Sequence, residues 1–330
     1  MGAVAKAGVA GAVAGGATGA LRMTRIAALQ TTSGDDIARN LDAAAELVDA
    51  AKTGGATLAA LPECFALLAR DKRQLRACAE DFGGGAIQDF MRRLARESGL
   101  WLIAGSVPLR SADASRVCNA LLVFDDRGEC RARYDKIHLF DIDLKGGEQH
   151  HESDYTMPGR ACVTQASPAG VLGLSVCYDL RFPELYRRLA AAGATVLLVP
   201  SAFTALTGRA HWETLLRARA IENACYVIAP AQVGAHSNGR VTYGHSVIID
   251  PWGEVLAERA DGPGVVFADL DDRRVANIRA QLPSLSHRRP DIFADVFVDD
   301  CAGTVANRAG DEHHAAATVA TVDSRAGVPA

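Results

Sequence analysis

Residues 171–184, VLGLSVCYDLRFPE, contain the change from strand to helix on which the fold prediction depends. The run 171–176 is apolar and predicts a buried strand, and Pro183 suits the first turn of a helix. Cys177 therefore follows a strand end and precedes a helix N-terminus, which would favour a thiolate and offer N–H groups to an oxyanion. Taken alone, a buried structural cysteine is the alternative.

Strands and helices alternate on both sides of this stretch. Apolar runs predict strands at 25–30, 57–61, 101–107, 120–124, 170–176, 195–200, 226–233, 245–250 and 265–269. Amphipathic periodicity predicts helices at 37–52, 86–98, 183–192, 210–222 and 272–281. Asp250-Pro251-Trp252-Gly253 is typical of a hairpin turn. Interleaving of this kind predicts a layered α/β domain.

The 330 residues divide into a central domain and two extensions. Residues 1–22 are almost entirely Ala, Gly and Val, and we expect them to be a disordered extension, or to precede a true start at Met23. Residues 23–300 carry the alternating pattern and predict one domain. Residues 301–330 contain few large apolar side chains and predict a disordered tail.

Composition excludes several function classes. Lys and Arg number 35 against 39 Asp and Glu, so the net charge of -4 gives no electrostatic footprint for nucleic acid. No apolar run long enough to span a membrane occurs outside the N-terminal extension. The eight cysteines form no C-x-x-C pair, which disfavours a zinc site and predicts free thiols in a reducing compartment, the cytoplasm. His150-His151-Glu152 lacks a suitably spaced third ligand, so no metal is expected.

Two charged residues follow other apolar runs. Glu63 ends the run 58–62, where partial desolvation would raise its pKa and suit it to act as a base. Lys136 lies among apolar residues in RYDKIHLF, at 133–140. Each alone could be a solvated surface charge. Together with Cys177 they supply a base, a fixed cation and a nucleophile.

These segments resemble the nitrilase, or carbon–nitrogen hydrolase, superfamily, and the resemblance extends from about Thr24 to Phe293. It rests on LPE at 61–63, YDKIHL at 134–139 and CYDLRFPE at 177–184, with HWE at 211–213, YGHS at 243–246 and DPWG at 250–253. The resemblance implies a four-layer α-β-β-α sandwich that dimerises sheet to sheet into αββα–αββα. It implies no metal and no organic cofactor.

The resemblance also implies a role for each catalytic residue. Cys177 would be the nucleophile, and Glu63 the base that moves protons between thiol, leaving amine and water. Lys136 would stabilise the oxyanion together with the backbone N–H of Tyr178. Glu152 is similar to the second glutamate of the family, which orients the lysine and the substrate.

Within the superfamily, FPELY at 182–186, Gly239-Arg240 and HRRPD at 287–291 are most similar to the Nit branch. That similarity implies hydrolysis of a 2-oxo-acid amide, with deaminated glutathione as the first candidate. Its products would be 2-oxoglutarate and Cys-Gly. The alternatives are 2-oxoglutaramate, the substrate of an ω-amidase, and another small amide or N-carbamoyl compound.

Three further side chains are candidates for substrate binding. Arg181 could clamp a substrate carboxylate with its bidentate fork, or form a structural ion pair with Asp179 or a helix carboxylate. His138 could line the pocket near Lys136, or be a hydrogen-bonded core imidazole. Phe203 could be a pocket wall or plain core.

Two other classes of protein compete with an amidase. A non-catalytic scaffold is disfavoured because all four catalytic candidates, Glu63, Lys136, Glu152 and Cys177, are present. A thiol redox protein would need a resolving cysteine close to Cys177, and none is near in sequence.

Overall fold

A computed structural model describes residues 23–143 and 149–292, so the predicted extension and tail lie outside the described residues. The helices are α1 (Ile37–Thr53), α2 (Lys72–Ala77), α3 (Ala86–Ser98), α4 (Pro183–Ala191), α5 (Ala205–Asn223) and α6 (Arg274–Gln281). The first eight strands are β1 (Met23–Gln30), β2 (Leu58–Ala60), β3 (Trp101–Arg110), β4 (Val117–Phe124), β5 (Cys130–Asp135), β6 (Asp141–Asp143), β7 (Gln149–His151) and β8 (Thr164–Ser167). The others are β9 (Gly170–Leu174), β10 (Val196–Leu198), β11 (Tyr226–Ala229), β12 (Val233–Ala235), β13 (Val241–Tyr243), β14 (Ser246–Ile249), β15 (Val255–Arg259) and β16 (Gly264–Asp271).

Twelve of these strands form two six-stranded sheets. The first has the order β16-β1-β2-β3-β4-β5 and the second β15-β14-β11-β10-β9-β8. In each sheet three central strands are parallel and the outer ones antiparallel, as β1-β2-β3 and β9-β10-β11 show. The pairs β6–β7 and β12–β13 form separate hairpins. Since the carboxyl ends of parallel strands share one edge of a sheet, β2 and β9 each end where a site can form.

The side chains of β1 show how the layers stack. Ile26 and Ala28 pack in a core shared with the second sheet, whereas Ala27 and Leu29 pack against α1 and α3. Alternation of this kind follows from the two-residue period of a strand. Helices α4 and α5 contribute to the core on the second sheet. The structure is therefore the predicted four-layer α-β-β-α sandwich.

Most predicted elements are present, with shifted ends. The predicted helices 37–52, 86–98 and 183–192 match α1, α3 and α4 to within a residue, and Asp36 caps α1 by accepting from the N–H of Arg39 at 3.2 Å. Helix α5 begins five residues before the predicted start at 210 because Thr204 provides its cap. The predicted strand 226–233 is two strands, β11 and β12, with Pro230 between them, and the predicted turn at 250–253 joins β14 to β15. No helix in the described ranges is long and apolar enough to span a membrane.

Candidate active site

The four catalytic candidates come together in one cavity. Glu63 follows β2, Lys136 follows β5, Glu152 begins a 3₁₀ turn after β7, and Cys177 begins a second one after β9. All four line a cavity of about 900 Å³. The sequence predicted Glu63, Lys136 and Cys177 at strand ends, and the two sheets bring those ends to a common site, which Glu152 joins from the β6–β7 hairpin.

Cys177 occupies a strained turn. Its φ of 50° lies in the left-handed region that residues other than glycine rarely adopt, and its N–H donates to the carbonyl of Pro200 at 3.0 Å. A 3₁₀ turn covers Cys177–Arg181, and α4 begins only at Pro183. The thiol therefore lies after a strand end and before α4, as predicted, but a 3₁₀ turn separates it from the first residue of that helix. Backbone strain at such a position is a feature that functional sites retain.

Lys136 lies between two carboxylates. Its Nζ donates to Oε1 of Glu63 at 2.9 Å and to Oε2 of Glu152 at 2.8 Å, and all three side chains are buried. Burial lowers the pKa of Lys136, but the two carboxylates raise it more, so its pKa lies well above the ordinary value. Buried charges persist only when they are paired in this way. The lysine is thus a fixed cation at neutral pH.

Asn119, which the sequence analysis missed, completes this network. It lies in β4, and its Nδ2 donates to Glu63 at 3.0 Å and to Glu152 at 3.2 Å. Backbone groups add two further bonds, from the N–H of Ala202 to Glu63 at 3.0 Å and from that of Phe140 to Glu152 at 2.7 Å. A polar side chain within the apolar strand VCNALLVF, at 117–124, is the signal that could have identified Asn119.

The protonation states differ from those expected. Burial raises the pKa of Glu63, but the charge of Lys136 and the hydrogen bonds together lower it by a larger amount. The pKa therefore lies below its ordinary value, whereas the sequence had predicted a raised pKa. Burial and the charge of Glu63 raise the pKa of the Cys177 thiol well above its ordinary value. The resting site therefore holds a carboxylate beside a protonated thiol. This is the arrangement of a general base and its nucleophile.

Asp179 connects the Cys177 turn to the Lys136 segment. Its fully buried carboxylate accepts from the hydroxyl of Tyr134 at 2.7 Å and from the N–H of Val176 at 2.8 Å. Its other oxygen accepts from the N–H of His138 at 3.0 Å and contacts Nδ1 of the same residue at 2.7 Å. One side chain therefore fixes both the nucleophile turn and the segment that carries the lysine.

Of the remaining predicted binding residues, two line a second, small recess, and Arg181 lines neither that recess nor the large cavity. Tyr178 and Phe203 line a small recess together with Cys177. The guanidinium of Arg181 lies 5.7 and 5.2 Å from the ring centres of Tyr178 and Phe203, and its Nη1 is 3.2 Å from Nδ1 of His211. Asp179 is occupied by other donors, so the ion pair considered for Arg181 does not form.

His138 does not line the cavity. Its ring stacks on Phe182 with centres 3.7 Å apart and is bound to Asp179. The structure therefore places it as a hydrogen-bonded imidazole behind the site, the alternative that the sequence left open.

The described residues contain no group of three or more His, Cys, Asp or Glu side chains that could hold a metal ion. The reactive groups that line the cavity include a thiol, two carboxylates and an ammonium group. Such a set can attack a carbonyl carbon, stabilise the resulting oxyanion and transfer protons.

Comparison with known proteins agrees with this chemistry. The sequence profile of the carbon-nitrogen hydrolase family matches residues 25–280. The deaminated glutathione amidase of Homo sapiens is 44% identical over 275 residues, covering 82% of this chain and 84% of that protein. The deaminated glutathione amidase of Synechocystis is 44% identical over 265 residues, covering 79% of this chain and 97% of that protein.

A solved structure shows the same architecture. The crystal structure of the NitFhit protein of Caenorhabditis elegans superimposes with a TM-score of 0.76 and 40% sequence identity. The match covers 82% of this chain and 66% of that chain. At 40% identity the two chains share much of their sequence as well as the arrangement of the sheets.

Proposed function

The chain belongs to the carbon–nitrogen hydrolase family, and from that premise we propose that it hydrolyses the amide of a 2-oxo-acid, with deaminated glutathione as its substrate. The observation that carries the chemistry is the contact of Lys136 with both Glu63 and Glu152 beside the Cys177 thiol. The substrate assignment is supported by the name shared by the relatives in Homo sapiens and Synechocystis.

In the first half of the reaction, Glu63 accepts the thiol proton while Cys177 attacks the amide carbon. Two donors are available to the oxyanion that forms, the ammonium of Lys136 and the N–H of Tyr178, which takes no part in the hydrogen bonds that hold the turn. Glu63 then transfers its proton to the leaving amine. A thioester on Cys177 and a free amine result.

In the second half, Glu63 removes a proton from water, which attacks the thioester. The bond between the acyl carbon and sulfur then breaks, the carboxylic acid leaves, and Glu63 returns the proton to the thiolate of Cys177. The carboxylate of Glu152 supports this cycle by holding Lys136 from the opposite side. No step requires a metal or an organic cofactor.

Arg181 and Phe203 are the groups we assign to the acyl half of the substrate. An arginine fork suits the 2-oxo-acid carboxylate, and within the described ranges Arg181 has no ion-pair partner of its own. Tyr178 lines the same recess beside Cys177. His138 acts behind the site, through Asp179.

A paired assay tests the proposal. Purified protein under reducing conditions receives deaminated glutathione and 2-oxoglutaramate at equal concentrations, with Cys177→Ala as blank. We expect a higher kcat/KM for deaminated glutathione and no turnover by the blank, which should remain folded. Preference for 2-oxoglutaramate would identify an ω-amidase, and turnover by Cys177→Ala would contradict the mechanism.

A thiol redox function has weaker support. Cys64 and Cys118 do line the cavity, although neither is near Cys177 in sequence. Burial and the charge of Glu63 raise the pKa of Cys64 to about 12, so its thiolate is scarce at neutral pH. A redox pair would need that thiolate.

We also propose that the protein is a homodimer located in the cytoplasm. Leu206 and Ile221 on α5 and Trp252 in the β14–β15 turn are large apolar side chains that are about half exposed or more. Because α4 and α5 cover the second sheet, two copies would meet through helix layers rather than sheet to sheet. The cytoplasmic location rests on the absence of C-x-x-C pairs in the sequence.

A further inference from the structure

The cavity contains a cation that the proposed chemistry does not use. Arg240, in the turn between β12 and β13, lines the cavity, and its Nη2 donates to the carbonyl of Ala202 at 3.0 Å. Its Nε is buried without a hydrogen-bond partner among the described residues. A buried donor without an acceptor costs free energy. The guanidinium therefore has donor capacity that the protein itself does not fill.

Tyr155 offers a second donor in the same cavity. No hydrogen-bond partner for its hydroxyl lies within 23–143 or 149–292. Burial and the charge of Glu152 raise the pKa of Tyr155 to about 12, so the hydroxyl keeps its proton, whereas the charge of Arg240 acts on this pKa in the opposite direction. The two side chains line the same cavity, one of them is charged, and each retains a donor that no described residue fills, which suits them to bind an anion.

Arg240 lies close to Glu63, the base that protonates the leaving group. Ala202 accepts from Arg240 through its carbonyl and donates to Glu63 through its N–H, so one residue separates the guanidinium from the base. The leaving amine must lie where Glu63 can protonate it. Glu63 lines the large cavity and not the small recess beside Tyr178 and Phe203. Arg240 lines the same cavity as Glu63, so a leaving group within reach of this base also lies in the cavity that holds the guanidinium.

The rim of the cavity is also basic. Four cationic side chains of the segment 70–76 line it: Arg70, Lys72, Arg73 and Arg76. Arg70 is paired with Asp35 and Lys72 with Asp154. Arg73 and Arg76 have no carboxylate partner in the described part of the chain. A mouth with this charge attracts anionic substrates.

We infer that Arg240 and Tyr155 form a subsite for a carboxylate on the leaving amine, so that the enzyme selects amides of anionic peptides over the amide of ammonia. The inference rests on the proposed function. A dipeptide amine carries its carboxylate at most about 7 Å from the scissile nitrogen. The cavity of about 900 Å³ has room for such a group, whereas ammonia would leave it almost empty.

The test compares three amides that share one acyl group: deaminated glutathione, its C-terminal glycinamide analogue, and 2-oxoglutaramate. For the native enzyme we expect loss of the carboxylate to lower kcat/KM by about 10- to 100-fold, the usual effect of losing a charge-assisted hydrogen bond. Arg240→Gln should reduce this preference to about twofold. Arg39→Gln, on the exposed surface of α1, is the matched control and should keep the native preference.

Each outcome separates the subsite from the proposed function. If Arg240 only supported Ala202, its loss would slow all three substrates equally and leave the preference intact, which would overturn the subsite. Tyr155→Phe removes one hydroxyl without changing side-chain shape and should lower the preference even if Arg240→Gln fails to fold. A native enzyme that cleaved all three amides equally would overturn only the subsite, whereas one that cleaved none would overturn the proposed function as well.

Discussion

At the scale of single residues, Asp179 is the side chain on which the geometry of the site depends most. It has no exposed surface, and it satisfies donors from the Cys177 turn, from Tyr134 and from the backbone of His138. A carboxylate has two acceptor oxygens, and here each is used twice. No other residue type can accept from all of these donors in the same volume.

We expect Asp179→Asn to lower kcat at least tenfold and to destabilise the fold by about 1–3 kcal/mol, because its new NH₂ group would face two buried donors. Thermal unfolding and steady-state kinetics of the same preparation measure both effects. Asp125→Asn is the matched control: Asp125 is also a buried turn carboxylate that accepts from two backbone N–H groups, those of Arg127 and Glu129. It should keep kcat, and a native kcat for Asp179→Asn would contradict the positioning role.

The sequence allowed a residue to be proposed for the site where its type and its position along the chain together indicate a chemical role. Glu63 and Cys177 follow apolar runs and Lys136 lies among apolar residues, but it was the resemblance of their segments to a known family that implied their roles. Asn119 and Arg240 could not be assigned a role, because an amide in a strand or an arginine in a turn has many structural uses. Their roles come from partners that are far away in sequence, such as Glu63 for Asn119.

At the scale of elements, strand β3 holds the segment that carries Glu63 in place. Gly105 lies in β3 directly against the backbone of the residues before Glu63. A Cβ at this position would lie 2.1 Å from the carbonyl oxygen of Leu61 and 2.2 Å from that of Pro62. Backbone atoms cannot rotate away as a flexible side chain can. The close approach of β3 and the Glu63 segment therefore requires glycine.

We expect Gly105→Ala to displace the Glu63 segment, lowering kcat/KM more than tenfold and the melting temperature by several degrees, since overpacking a core costs about 1–3 kcal/mol. Gly84→Ala is the control, because nothing lies within 4 Å of the added Cβ and its backbone conformation admits alanine. It should leave both quantities unchanged. If Gly105→Ala had the same kcat/KM as the native protein, the Glu63 segment would not depend on its close approach to β3.

Element prediction succeeded where hydrophobic periodicity was strong. Strands β5, β8 and β15 were missed because their burial alternates only weakly and polar side chains occupy several positions, as in CRARYD at 130–135. Such strands pair at or near a sheet edge, where packing partners rather than local sequence decide their conformation. Helix α2 has no buried residue, so no apolar stripe indicated it.

At the scale of the whole molecule, the C-terminal end of α5 and the β14–β15 turn each expose one large apolar side chain. Ile221 and Trp252 are 49% and 57% exposed, and the turn is fastened to α5 by a hydrogen bond from Nε of Arg217 to the carbonyl of Gly253 at 2.9 Å. Large apolar side chains exposed together are typical of an interface. The cavity is lined by other segments, so pairing through this face would leave it open.

A second copy of the chain is the partner we expect on this face, and the prediction is a dimer in sedimentation analysis. Ile221→Glu combined with Trp252→Glu should convert the dimer to monomer, because charges would be buried without partners at the interface. Phe82→Glu introduces the same charge at another exposed aromatic residue, ahead of α3 on the first sheet, and should leave the dimer intact. A double variant that sediments as the native protein does would exclude this face.

Since α5 also carries Trp212 and Leu216 in the core behind the site, loss of the dimer should lower thermal stability before it lowers kcat.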